Sequence, residues 1–142
     1  MQNEKLRLDN QLCFAIYACA RQMTKLYKPY LDELGLTYTQ YISLLVLWEG
    51  DKITVKELGE KLYLDSGTLT PLLQKLDTMG FIERTRDEND KRNVLISLTL
   101  RGKTLKEKAY EIPSKIFSHT GLSLEHAISL REDLKETLNN IK

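Results

Sequence analysis

The sequence predicts a mainly α-helical fold that carries one small β-hairpin. Along most of the 142 residues, apolar side chains recur at steps of three and four, which is the spacing of a helix with one buried face. Residues 81–98 differ, because FIERTR and VLISL alternate apolar with polar residues on either side of a dense polar loop, DENDKRN. These patterns give the order of elements as four helices, two strands and two further helices.

Small polar residues indicate where the helices begin, and glycines indicate where they end. A side-chain oxygen just before a periodic segment can accept a hydrogen bond from the first turn, and glycine readily takes the left-handed conformation that ends a helix. The candidate caps are Asp9 or Asn10, Thr37, Thr54, Thr99 and Ser123. The candidate stops are Gly35, Gly80 and Gly121. Pro113 falls inside the fifth helical segment, LRGKTLKEKAYEIPSKIF, and should bend or interrupt it.

The first, second and last helices each carry a continuous apolar stripe. In the first helix the stripe consists of Leu12, Ile16, Cys19, Met23, Leu26, Tyr30 and Leu34. In the second helix the residues expected to point inward are Tyr41, Leu44, Leu45 and Trp48. In the last helix the stripe consists of Leu124, Ile128, Leu134, Leu138 and Ile141.

Composition excludes several classes of protein. No segment approaches the roughly 20 apolar residues of a membrane span, and the amino terminus lacks a signal-peptide pattern, so we expect a cytoplasmic protein with no membrane partner. The 21 basic and 20 acidic residues give a net charge of +1, so charge alone does not indicate a nucleic-acid partner.

Cys13 and Cys19 are six residues apart on one helix and should not form a disulfide bridge. With two histidines and no CxxC motif, we expect neither a metal site nor a cofactor.

Residues 54–80 have the order of a helix-turn-helix, in which VKELGEKLY precedes LDSGTLTPLLQKLDTMG. The buried stripe of the second helix is Leu69, Leu72, Leu73 and Leu76. Its opposite face contains no acid, although 29% of the chain is charged. Carboxylates there would repel phosphates, whereas hydroxyls and amides can bond to base edges. Pro71 is tolerated if this helix begins near Thr68. The candidate DNA contacts are Ser66, Thr68, Thr70, Pro71, Gln74 and Lys75.

The hairpin that follows supplies a second candidate contact with DNA. Arg84 and Arg86 share one face of its first strand, and Lys91 and Arg92 lie in its loop. Asp90 is unfavourable beside DNA unless its carboxylate orients Arg92 through a charge-assisted hydrogen bond. We therefore interpret Arg92 as a minor-groove contact braced by Asp90, although a charged loop by itself is typical of a solvated turn.

These motifs resemble those of the MarR family of bacterial winged helix-turn-helix regulators. The similarity is carried by LDSGTLTPLLQKL and by ERTRDENDKRNVLISLT, which contains a D-x-R wing motif, and it spans about residues 10–112. The resemblance implies a homodimer bound to double-stranded operator DNA. The chain, 1–142, would then be a single domain with a winged core at about 36–100 and dimerisation helices at about 5–35 and 100–142. The apolar stripes of the end helices fit this expectation, because one small domain cannot cover them.

The segment QLCFAIYACARQMTKLYKPYLDELGLTYTQY resembles the peroxide-sensing OhrR branch of that family. The resemblance implies a repressor in which organic hydroperoxides oxidise Cys13 to a sulfenic acid, while Tyr27 and Tyr38 hold the reduced thiol by hydrogen bonds. Residues 103–142 contain no cysteine, so we expect the one-cysteine type, whose response is completed by a low-molecular-weight thiol. Tyr27 follows Cys13 by 14 residues, roughly 21 Å along a straight helix, so the tyrosines must reach Cys13 of the partner chain.

The sequence leaves other functions open. A regulator of the same fold could instead leave DNA when a small phenolic ligand enters the dimer cleft, with Cys13 incidental. A thiol peroxidase is disfavoured, because there is neither a resolving cysteine nor an Arg or His adjoining Cys13, and we therefore expect no enzymatic activity. A winged helix that binds protein is disfavoured by the acid-free helix face and the basic hairpin.

Overall fold

The computed structural model describes residues 2–142, and the chain divides into two compact units. The first unit ends at Tyr110, and the second comprises Glu111–Lys142. The first unit begins with two 3-10 segments, Gln2–Leu6 and Leu8–Asn10. Its helices are α1 (Leu12–Leu34), α2 (Tyr38–Glu49), α3 (Val55–Leu62), α4 (Ser66–Thr78) and α5 (Leu100–Ala109). Its strands are β1 (Ile53–Thr54), β2 (Ile82–Arg86) and β3 (Val94–Leu98). The second unit contains α6 (Ile112–Ser118) and α7 (Leu124–Ile141).

The predicted hairpin is present, and it belongs to a three-stranded antiparallel sheet in the order β1-β3-β2. Ile96 at the centre of β3 pairs with Arg84 on one side and with Ile53 on the other. The Asp51 carboxylate accepts a hydrogen bond from the Leu98 backbone N–H at 2.9 Å, beyond the end of β1. The sequence missed β1, because a strand of two residues is too short to display an alternating pattern.

The core of the first unit lies where α2, α3 and α4 meet the sheet. Its fully buried members include Leu44, Leu47, Leu58, Leu69, Leu73, Leu76, Ile82 and Ile96. The expectation that Leu45 points inward is wrong: its side chain is 39% exposed, and Leu47 is buried instead. The segment ISLLVLW is apolar on every side, so periodicity could not determine which face of α2 points inward.

Four of the predicted helix caps are confirmed: Thr37, Thr54, Thr99 and Ser123 each accept a hydrogen bond from a backbone N–H in the first turn of the following helix. The expected cap of the first helix is wrong, because Asp9 and Asn10 lie in the preceding 3-10 segment and Gln11 stands at the cap position. Gly35, Gly80 and Gly121 all have positive φ angles, as the predicted stops require.

The two prolines singled out in the sequence occupy different positions in their helices. Helix α4 begins at Ser66, two residues before the predicted start, because the Asp65 carboxylate caps it by accepting the Thr68 N–H at 2.8 Å. Pro71 is therefore the sixth residue of α4, where it supplies no N–H to the carbonyl of Gly67. Pro113 interrupts the fifth segment as predicted, and it lies in the first turn of α6, where a missing N–H costs nothing.

A close backbone contact fixes α5 against the start of β2. The backbone of Gly102 passes so near the Phe81 carbonyl that a β-carbon at position 102 would collide with it. The Gly102 carbonyl accepts a hydrogen bond from the Trp48 indole N–H at 2.9 Å, which ties α2 to the same point. Between residues 2 and 142, no helix is long and apolar enough to cross a membrane.

Candidate nucleic-acid interface and thiol site

Helix α4 buries its leucines and exposes the acid-free face. Leu69, Leu73 and Leu76 are almost completely buried, and Leu72 lies at the edge of the core. All six predicted contact residues of this helix are exposed: Ser66, Thr68, Thr70, Pro71, Gln74 and Lys75. The Thr70 hydroxyl donates to the Ser66 carbonyl at 2.8 Å, so its oxygen remains able to accept from a ligand. This face can therefore approach a polyanion without placing a carboxylate against it.

The turn between α3 and α4 depends on two residues that the sequence analysis did not single out. Tyr63 ends α3 in the left-handed conformation, with φ of 57°. A β-carbon on Gly59 would lie 2.8 Å from the Leu64 carbonyl oxygen and 3.1 Å from a Leu69 methyl. Only glycine allows this approach, and the approach sets α4 against α3. The single glycine in VKELGEKLY was the available signal.

The hairpin loop holds Arg92 beside Asp90, as the sequence predicts. The Arg92 guanidinium donates to both carboxylate oxygens of Asp90, at 3.0 and 3.1 Å, and the Arg92 backbone N–H donates to the same carboxylate at 3.1 Å. These bonds, those from the guanidinium foremost, hold the pKa of Asp90 below its usual value, so the carboxylate is charged at neutral pH. The Arg92 side chain is 90% exposed. The predicted contact between Asp90 and Arg92 is thus present, and it fixes a cation at the tip of the loop.

The other two arginines of the hairpin have intramolecular partners that the sequence did not reveal. Arg84 Nε donates to a carboxylate oxygen of Asp77 at 2.9 Å, which joins β2 to the end of α4. Arg86 donates to the backbone carbonyl of Lys91 at 2.8 Å, which closes the loop on itself. The first contact positions the hairpin relative to α4, and the second fixes the shape of the loop.

Cys13 and Tyr27 are far apart within one chain. Cys13 is the second residue of α1, and both it and Cys19 are exposed, free thiols. Helix α1 continues from Leu12 to Leu34 in spite of Pro29, so Tyr27, which follows Cys13 by 14 positions, lies roughly 21 Å from it along the helix. One chain therefore cannot assemble the predicted thiol site alone.

The two predicted tyrosines do meet, and a third joins them. The rings of Tyr27 and Tyr38 contact edge to face, with centroids 5.0 Å apart. Tyr41 lies 5.5 Å from Tyr27 and 6.3 Å from Tyr38. The sequence predicts only that Tyr41 points inward, although its spacing of three from Tyr38 on one helix face was a signal that the two rings meet. We call these three residues the tyrosine cluster.

The tyrosine cluster keeps its phenols protonated. Burial, followed by the neighbouring Tyr38 and Tyr41, raises the pKa of Tyr27 to about 12. Burial also raises the pKa of Tyr38 and of Tyr41, the latter with a smaller effect from Tyr38. Neutral phenols are hydrogen-bond donors, so the cluster can donate to a thiolate or a sulfenate throughout the physiological range.

Two helices leave apolar side chains uncovered. On the first half of α1 the exposed apolar residues include Leu12, Phe14, Ile16 and Tyr17. In α7, all of which the structure describes, no residue is buried, and Leu124, Ile128, Leu134 and Ile141 are exposed. Exposed apolar residues repeated along a helix mark a surface that another chain covers. Among residues 2–142, no group of three or more His, Cys, Asp or Glu side chains is placed to hold a metal ion.

Comparison with known proteins identifies the family. The family described as transcriptional regulator SarA/Rot matches residues 25–109. The chain is 54% identical over 133 residues to the organic hydroperoxide resistance transcriptional regulator of Bacillus subtilis, covering 94% of this chain and 86% of that one. Among solved structures, reduced AbfR bound to DNA, a Staphylococcus epidermidis protein, has a TM-score of 0.82 and 38% identity, and covers 99% of both chains. A MarR variant from Escherichia coli in complex with operator DNA has a TM-score of 0.81 and 28% identity, over 96% of both chains. The predicted winged helix-turn-helix fold is confirmed, and the chain belongs to the MarR-like transcriptional regulators of the SarA/Rot family.

Proposed function

We propose that this protein is a DNA-binding transcriptional repressor whose hold on its operator is released when an organic hydroperoxide oxidises Cys13. One observation carries the proposal: the acid-free face of α4 lies in the same unit as a braced, exposed Arg92, in a chain 54% identical to a hydroperoxide resistance regulator. A double-stranded operator is the proposed ligand, and the cytoplasm, where a bacterial operator lies, is the proposed location.

Helix α4 enters the major groove in this proposal, and the hairpin loop reaches the adjacent minor groove. Hydroxyl groups, an amide and one lysine on α4 then face base edges and phosphates. Pro71 presents an apolar ring that suits a thymine methyl group. Arg92, held by Asp90, is inserted into the minor groove, whose negative potential attracts arginine.

A homodimer is the proposed DNA-binding form. The uncovered apolar residues of α1, and separately those of α7, are surfaces that a second copy could bury. A two-fold dimer should contact half-sites about one helical turn apart, roughly 10 base pairs from centre to centre. The dimer also serves the thiol site, since the partner subunit's Tyr27 and the partner's Tyr38 are then available to Cys13.

The proposed sensing step is a two-electron oxidation of the Cys13 thiol by the hydroperoxide. The Cys13 thiolate attacks the terminal oxygen of the hydroperoxide, the O–O bond breaks, and the alkoxide that leaves takes a proton from water to become the alcohol, while the sulfur becomes a sulfenic acid. A low-molecular-weight thiol then condenses with the sulfenic acid, which yields a mixed disulfide and water. The phenols of Tyr27 and Tyr38 donate hydrogen bonds to the sulfur in its reduced state. The known relatives are regulators, and we assign this chain no catalytic turnover, no cofactor and no metal.

The deciding experiment follows operator binding by fluorescence anisotropy, on a palindromic duplex that the protein itself selects from random-sequence DNA. Wild type, Cys13→Ser and Cys19→Ser are each treated with cumene hydroperoxide and a small thiol. We expect wild type and the Cys19 variant to dissociate, and the Cys13 variant to remain bound. If the Cys13 variant also dissociates, the sensing proposal fails and the phenolic-ligand alternative takes its place. If none of the three binds a selected duplex at all, the DNA-binding proposal itself fails.

A further inference from the structure

We infer that Tyr41 is a positioning residue of the thiol site, whose buried ring holds the Tyr27 and Tyr38 phenols in the orientation in which they meet the partner's Cys13. The inference rests on the proposed function, because it assigns a role in the reaction proposed for Cys13. It concerns a residue that does not itself touch the sulfur.

Tyr41 is the one member of the tyrosine cluster anchored in the core. Its side chain is only 2% exposed, whereas Tyr27 and Tyr38 are partly buried. It lies on the face of α2 that also buries Leu44. Its ring contacts both other rings, with centroid distances of 5.5 and 6.3 Å. The Tyr41 ring is therefore a fixed surface, anchored in the core, against which the two other rings pack.

The other two tyrosines lack such an anchor of their own. Tyr38 is the first residue of α2, and the capping box of Thr37 and Gln40 fixes its backbone but not its ring. Tyr27 projects from α1, a different element, so its contact with Tyr38 depends on how both rings are seated. Each side chain has rotamers that would carry its hydroxyl several ångströms away. A hydrogen bond to sulfur is lost when its donor moves by much. The Tyr41 ring, by restricting both neighbouring rings, therefore increases the fraction of time in which the Tyr27 and Tyr38 hydroxyls both point toward the sulfur.

The aromatic ring of Tyr41 orients the two phenols, and its hydroxyl group does not contribute to that effect. The contacts among the three residues are between ring faces and edges, which phenylalanine reproduces. Tyr41→Phe should therefore behave as wild type, whereas an aliphatic residue should not. If Tyr41 only stabilised the fold, any other substitution that removes as much core packing would slow the oxidation of Cys13 by the same factor.

The test measures the second-order rate of Cys13 sulfenic acid formation in the full-length protein with cumene hydroperoxide, by trapping with dimedone and mass spectrometry. The variants are Tyr41→Leu, Tyr41→Phe and, as a matched core truncation in the same helix, Leu47→Ala. Operator affinity of the reduced proteins is measured alongside. If Tyr41→Leu does not fold, Tyr41→Met removes the ring while leaving a flexible apolar side chain.

We expect the ring-free variant to react about tenfold more slowly than wild type, with the other two within about twofold and reduced-state operator affinity unchanged. A wild-type rate in the ring-free variant would overturn the inference, as would an equal slowing in Leu47→Ala. The rate of sulfenic acid formation in wild type tests the proposed function. The ratio of that rate between variants and wild type tests this inference, so the two can fail separately.

Discussion

Arg92, the proposed minor-groove contact, is held by a residue only two positions away in sequence. Asp90 and Arg92 form two side-chain hydrogen bonds on an exposed loop. An exposed ion pair adds little to stability, because solvent screens it and the side chains lose freedom in forming it. The pair instead restricts orientation, because it holds a long arginine side chain near one geometry, the one in which we propose that it meets DNA.

Replacement of Arg92 by alanine should weaken operator binding by about 1–3 kcal/mol and leave the dimer intact. The loss follows from removing the cation that the loop presents to the groove. Titration of an operator duplex by anisotropy measures it, with Lys106→Ala, an exposed basic residue of α5, as the control. Equal affinities for Arg92→Ala and wild type would contradict the assignment of the wing.

Alkaline pH should destabilise the protein through Tyr27. Its pKa is near 10 when unfolded and about 12 when folded, so the folded state retains the proton more tightly. The stabilisation is therefore complete below pH 10 and is lost as the pH rises from 10 through 12. Urea unfolding at a series of pH values should show this decline, and Tyr27→Phe should make it shallower. A decline that is just as steep in Tyr27→Phe would assign it to other groups.

At the scale of elements, predictions from sequence succeeded where the signal was local. A helix cap needs only a threonine or serine and the backbone amide three residues later, and four such caps are confirmed. The hairpin, the interruption near Pro113 and the stripe of α4 were predictable for the same reason.

Predictions failed, or were not made, where a residue's position depends on contacts with residues distant in sequence. Strand β1 exists because it pairs with residues more than 40 positions away. Tyr41 belongs to the candidate site because of a ring on another helix, and Arg84 is bound by Asp77 because β2 passes the end of α4. The burial of Leu47 rather than Leu45 is also decided by the neighbours of α2, since its own sequence is apolar on every side.

Replacing Gly102 with alanine should destabilise the protein by about 1–3 kcal/mol, since the new methyl group collides with the Phe81 carbonyl and must push α5 away. The comparison variant is Gly50→Ala, where a β-carbon would meet nothing within 4 Å. Urea unfolding measures both. If the two variants are equally stable, the close approach of α5 to β2 does not constrain the fold.

For the molecule as a whole, the uncovered apolar face of α7 predicts that assembly and DNA binding are linked. Leu134→Glu places a charge on that face and should convert the dimer to a monomer in sedimentation velocity, with loss of operator binding. Glu136→Lys changes the charge 200° around the same helix, estimated at about 100° per residue, and should leave the dimer intact. A dimeric Leu134→Glu protein would place the subunit interface elsewhere.

The ion pairs of the hairpin also affect how the protein searches for its operator. Arg84 and Arg92 are each bound to a carboxylate of the same chain, and the net charge is only +1. Residence on DNA of arbitrary sequence depends on cations that displace counterions from phosphates, and both of these arginines share their charge with a carboxylate. The hairpin should therefore hold DNA of arbitrary sequence less tightly than a loop with two unpaired arginines would. A protein that leaves such DNA sooner samples more sites in a given time, so the time needed to occupy the operator again after the stimulus ends should be shorter, and it should shorten further as more copies of the protein are made.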